Sequence, residues 1–143
     1  MNITRYQIIL ALLFFSLSAG CNKEPKYIPG MSVQGYRASI SKILFSPIAF
    51  DGATVAVEGI VKDINEDSSE TENGVITYFK LADLNGNYVN VNMPGSWDIV
   101  DDDYMIVGGV YRKNSNEIEA SQFEKIVLED KNKTEEIEKR DEW

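Results

Sequence analysis

Apolar and polar residues alternate through much of the chain between residues 54 and 128, the period of a strand with one buried face. Thr54–Ile64 (TVAVEGIVKDI) is alternating and β-branched, and Gly59 falls where a bulge or sharp bend belongs. Gly74–Ala82 and Asn87–Met93 are predicted to form a hairpin around Leu84-Asn85-Gly86, and its register follows from parity. Val75, Thr77, Phe79 and Leu81 share one face, as do Val89, Val91 and Met93. A three-residue loop at 84–86 pairs 81 with 89 and 79 with 91, so both apolar sets meet on one side, whereas a two-residue loop would split them. Tyr104–Lys113 and Glu117–Leu128 are two further strands, joined at Asn114-Ser115-Asn116. Upstream, Ile40, Ile43 and Leu44 mark one face of a short helix that Ser39 caps and Pro47 ends.

Five strands, with a connection of about ten residues between the third and fourth, predict an all-β architecture. The expected form is a five-stranded, OB-fold-like Greek-key barrel preceded by one short helix. Gly59 and Gly108-Gly109 supply the bends that a small barrel needs; an SH3-like barrel or open sandwich fragment is the alternative. Asp51-Gly52, Val55-Ala56-Val57-Glu58-Gly59-Ile60-Val61, Gly109-Val110 and Ile118-Glu119-Ala120, in that order, resemble bacterial exported OB-fold domains over residues 38–128. That resemblance implies fold far more than function. The barrel domain is placed at 36–128. Glu129–Trp143 (EDKNKTEEIEKRDEW) reads as a charged tail, disordered or a frayed helix supported by Glu135/Lys139 and Glu136/Arg140.

The start of the chain has another pattern. Residues 1–20 hold one base, Arg5, no acid, and the ten-residue apolar block Ile8–Leu17, which suits a signal peptide and is too short to span a bilayer. Leu17-Ser18-Ala19-Gly20-Cys21 resembles the lipobox of bacterial lipoproteins, with the leucine one place earlier than is commonest. The resemblance implies cleavage before Cys21, a covalent diacylglycerol and N-acyl lipid on that residue, and a membrane partner through the anchor. Residues 21–35, with Pro25 and Pro29, read as a tether. The lipoprotein resemblance implies the bacterial cell envelope, and Asn22, where enterobacterial lipoproteins retained in the inner membrane carry aspartate, by that resemblance favours the outer membrane facing the periplasm over the inner membrane.

Composition narrows the chemistry. The chain has 143 residues, 23 acids, 14 bases, one cysteine and no histidine. Imidazole catalysis, histidine-held haem or zinc, an internal disulfide and multi-cysteine metal sites are thereby excluded. No convergent nucleophile and base can be nominated, so no enzyme is expected and no other cofactor. The outer face of the hairpin carries Ile76, Tyr78 and Lys80 opposite Tyr88, Asn90 and Asn92, which makes it the candidate ligand face of an OB barrel. Asp98, Asp101, Asp102 and Asp103 are a weak metal candidate, to be weighed against a solvated loop. The net charge of −9, with Lys80 the one base on the hairpin face, argues against a phosphate backbone, so no nucleic acid is expected. The function these readings favour is a membrane-anchored envelope module for a protein, peptide or glycan partner. The alternative is an accessory subunit of an envelope complex without a small ligand, and a nucleic-acid-binding OB-fold, disfavoured by charge, is the third reading.

Overall fold

The computed structural model describes residues 31–68, 74–128 and 133–141. The lipobox, Cys21 and most of the tether lie outside these residues. In chain order the elements are β1 (Tyr36–Arg37), α1 (Ile40–Phe45), α2 (Pro47–Phe50), β2 (Thr54–Asp67), β3 (Ile76–Ala82), β4 (Tyr88–Pro94), β5 (Tyr104–Arg112), β6 (Glu117–Lys125) and α3 (Lys133–Arg140).

The sheet order is β1-β2-β3-β4-β6-β5, and β5 returns to pair with β2, so the last five strands close into a barrel. β2 makes the closure possible because it serves two neighbours in turn. Thr54 to Ile60 pair with Val110 to Tyr104 of β5, and Ile60 to Asp67 pair with Ala82 to Ile76 of β3. Gly59 sits at the handover. A Cβ there would lie 2.8 Å from Leu81 Cγ and 3.1 Å from Ile40 Cδ1, so only glycine lets β3 and α1 approach this closely. Farther along, β5 and β6 slip register between Gly108 and Gly109, which pair with Gln122 and Ala120. A Cβ on Gly109 would fall 2.2 Å from Glu119 O, and both glycines therefore serve strand geometry, as the sequence predicts.

The hairpin has the expected register: Leu81 opposite Val89, Phe79 opposite Val91, Lys80 opposite Asn90 and Tyr78 opposite Asn92. Its loop is the three-residue one. Asp83 N–H donates to Asn87 O at 2.9 Å, while Asp83 Oδ1 accepts from the Asn85 and Asn87 amides, and Gly86 takes φ +84°. Val55, Val57, Val61, Phe79, Leu81, Val89, Val91, Val107 and Ile118 fill the barrel with Ile40 and Ile43 of α1. Ser39 caps α1 through the Lys42 amide, as expected. Pro47 ends α1 and also opens α2, because its missing N–H is no loss at the first position of a helix.

Three features depart from the sequence reading. β2 runs on to Asp67, three residues past the expected end, with a bulge between Lys62 and Asn65 and Asp63 at φ +54°. The tether gives way to packed chain early: Val33 is buried, Gln34 N–H donates to Gln122 Oε1, and Tyr36–Arg37 add a short parallel strand to β2. The tail also docks. Ile137 of α3 is 3% exposed in a second cluster with Val33, Ala56, Tyr104, Ile106 and Ile126. Below it, Glu58 is buried and accepts from Arg140 Nε and Nη2 at 2.7 and 2.9 Å and from the Tyr104 hydroxyl at 2.9 Å. Arg37 Nη1 stands 3.9 Å away. This carboxylate lies at an outward position of an alternating strand, and the helix covers it. Burial and the neighbouring Glu58 charge push the Tyr104 phenol far above its ordinary value.

Candidate functional site

The hairpin strands β3 and β4 alternate strictly, so every second side chain faces away from the barrel. Ile76, Tyr78 and Lys80 on β3 thus share a face with Tyr88, Asn90 and Asn92 on β4. Tyr78 and Tyr88 are 37% and 41% exposed, enough to offer ring surface to a ligand. β2 extends the face: Lys62 pairs with Lys80, and Ile60 with Ala82. A shallow hollow lined in part by Lys62, Asp63, Lys80 and Tyr88 lies across the three strands.

The polar groups here are engaged rather than idle. Lys80 Nζ lies 2.7 Å from Asp63 Oδ2 and 5.0 Å from the centre of the Tyr88 ring. That pairing raises the Lys80 ammonium and lowers the Asp63 carboxyl relative to their ordinary values, chiefly through the hydrogen bond between them. Lys62 is paired with Asp102, whose hydrogen bond likewise raises it. Asn92 Nδ2 donates to Glu117 Oε1 at 2.8 Å, and Asn90 Nδ2 to Ser115 O at 3.3 Å. The two asparagines therefore tie β4 to β6 and its leading turn. Ile76 is half-buried at the far end of β3, opposite Pro94. Of the six candidates, Tyr78 and Tyr88 are the most exposed, and the other four are half-buried.

The bulge at Asp63 is what the sequence reading lacked. It carries the carboxylate that holds Lys80, and nothing in an alternating pattern announces a non-glycine residue at positive φ. Trp97, which strand alternation does not single out, is 42% exposed and edge-on to Phe123 with ring centres 5.1 Å apart. Its position after Pro94-Gly95 was the available signal.

The acidic connection does not converge on a point. Asp101 Oδ1 accepts from the Ile64 amide, Asp102 pairs with Lys62, and Asp103 Oδ2 accepts from the Val100 amide and lies 2.8 Å from Lys125 Nζ. Each of these three has structural partners, and Asp98 joins them in no shared site. Among the described residues no group of three or more acidic, cysteine or histidine side chains is placed to hold a metal ion. Nor is any described helix long and apolar enough to cross a membrane.

No family model matches the chain, and no curated protein matches it in sequence. Among solved structures it is similar to a chain in the crystal structure of yeast Stn1 and Ten1, at 11% identity and a TM-score of 0.57. The match covers 75% of this chain and 70% of that one, and with the strand order above it establishes the OB-fold. It also corrects the functional expectations. The membrane-anchored envelope module for a protein, peptide or glycan partner, its accessory-subunit alternative and the exclusion of nucleic acid do not stand against this neighbour. The expectation rested on the acidic balance and on Lys80 as the one base of the hairpin face, whereas β2 places Lys62 alongside Lys80 and the two tyrosines.

Proposed function

We propose that the barrel binds single-stranded nucleic acid across the outer face of β2, β3 and β4. The observation that carries the reading is the shared exposure of Tyr78 and Tyr88 on one strand face of an OB barrel, with Lys80 between them and Lys62 alongside. Bases stack on tyrosine whatever their sequence, and lysines track the backbone. The similarity to Stn1 and Ten1 supports the fold on which this reading depends. Because both lysines already hold carboxylates, phosphate must displace Asp63 and Asp102, and binding is weak and led by stacking.

Anisotropy of a labelled oligothymidylate of about 15 nucleotides, near the upper site size of one OB-fold, tests this with the full chain. Two lysines predict a slope of log affinity against log salt of about −1.4 for a single strand. Tyr78→Ala with Tyr88→Ala should lower affinity by at least about tenfold, at roughly 1–3 kcal/mol per stacked base. A wild-type chain that leaves the oligonucleotide free, or a double variant that binds as well as wild type, overturns the proposal.

Acylation at Cys21 is a separate proposal about where the chain sits, supported by the segment Leu17-Ser18-Ala19-Gly20-Cys21. Cys21→Ser should abolish incorporation of a clickable palmitate analogue into the expressed chain and release it from a bacterial membrane fraction. Undiminished labelling rejects it.

A further inference from the structure

The barrel is closed by hydrogen bonds all the way round but opens partway along one seam. β4 and β6 are paired only over Asn90–Asn92 and Glu117–Glu119. Beyond that point β4 continues to Pro94 on β3 alone, and β6 continues to Lys125 on β5 alone. Between the parting strands lies an open cleft of about 630 Å³, with Val33, Met93, Pro94, Trp97, Gln122 and Phe123 among its walls. None of its lining residues is charged, in a chain with 23 acids and 14 bases.

The aromatic wall is held in place. The indole Nε1 of Trp97 donates to Pro94 O at 2.9 Å, and its ring meets Phe123 edge to face at 77°. Gly95 takes φ +105°, and a Cβ there would sit 3.1–3.3 Å from the indole; glycine lets the chain double back so closely. Thr77 fixes the same bend from below, its hydroxyl donating to Gly95 O at 2.7 Å. The indole nevertheless remains 42% exposed.

We propose that this cleft is a second base-binding subsite, taking one unstacked nucleobase against Trp97. The inference rests on the oligonucleotide reading above and extends it to a place the tyrosine face does not reach. Continuity selects the occupant. Asn92, opposite Tyr78, is followed directly by Met93 and Pro94 of the cleft wall, a step of about 7 Å along a strand. A strand laid over the tyrosines and running on along β4 therefore arrives at the seam. The chemistry selects the same occupant, since an exposed indole in an uncharged lining accepts a neutral ring and gives a phosphate no charge to pair with.

The test uses the full chain carrying Trp143→Phe, in which Trp97 is the sole indole. An oligothymidylate of about 15 nucleotides should quench Trp97 emission, a dinucleotide should not, and Trp97→Ala should lower affinity by about tenfold. Trp97→Phe, which keeps a ring against Phe123, should lose less. Oligonucleotide binding that leaves the emission unchanged and survives Trp97→Ala within about twofold removes the subsite while the Tyr78 and Tyr88 face stands. A wild-type chain that binds no oligonucleotide overturns both. If Trp97→Ala unseats its loop, seen as an early melt, titration of the intact indole decides alone: quenching supports the subsite and its absence rejects it.

Discussion

At the scale of single residues, the two faces of β3 make opposite demands. Phe79 is 3% exposed and packed in the barrel, whereas Tyr78 beside it points outward. Phe79→Ala should therefore cost about 3–5 kcal/mol through lost transfer energy and the cavity left behind. Tyr78→Ala should stay within about 1 kcal/mol, as surface changes do. Urea melts of the two variants measure the difference, and equal losses would contradict the register. That register is legible in the sequence because a strand has period two, and bringing the apolar sets of both strands to one side selects the three-residue loop. Asp63 is not legible in the same way. Its positive φ arises from the bulge between Lys62 and Asn65, where β2 shifts against β3, and alternation alone cannot show a shift forced by a neighbour.

At the scale of elements, α3 shows where reading the sequence falls short. Ile137 is the one apolar residue of Lys133–Arg140, too little to announce a packed helix by periodicity. Glu58, the partner of Arg140, lies 82 residues before it, at what reads as an outward polar position of β2. The two become intelligible only together, because the cluster on the outer face of β2 and β5 needs a cover and the buried carboxylate needs a cation. Arg140→Gln should cost about 3 kcal/mol, the lower end for breaking a buried pair, since Tyr104 and Arg37 remain beside Glu58. A double-mutant cycle with Glu58→Gln should show coupling of at least about 1 kcal/mol, and additive losses would mean that the pair does not hold the helix.

Asp141, just past the end of α3, has its carboxyl raised by burial first and then by Asp83 and Glu58. A carboxyl with a raised folded pKa favours the protonated folded form, so stability is lost as pH climbs from the unfolded value through the folded one. Asp141→Asn should remove that loss, and it also takes a negative charge away from a helix C-terminus, an effect of about 0.3–1 kcal/mol. Thermal melts should show the variant more stable than wild type at neutral pH and equal to it near pH 3, below the ordinary aspartate range. A gain that persists at acid pH would point to another cause.

At the scale of the whole molecule, closure dominates. Thr54 must find Val110, and Asn90 must find Glu117 across a parallel pairing, before the barrel has an inside. Such pairings form late and cost loop entropy before they repay it. Refolding from urea, followed by Trp97 emission in the Trp143→Phe chain, should take milliseconds to seconds, the range of non-local β topologies. A microsecond phase carrying the full amplitude would mean that local structure suffices. The five strands and their bends are legible because they repeat a simple period broken by glycine. The seam between β4 and β6 is not, since it depends on where two strands far apart in sequence stop touching.

Glu58 also has a mechanical consequence. Arg37 comes from the beginning of the described chain and Arg140 from its end, and both reach this one carboxylate. A load applied through the two ends would meet this clasp before it reached the five strands of the barrel. The helix leaves β2 by peeling, one contact after another, whereas the barrel strands must be sheared or unzipped along whole ladders. Under tension the molecule should therefore lengthen in two steps, first by release of α3 and the segment behind it and later by rupture of the barrel. The first step acts as a fuse that spares the tyrosine face from strain.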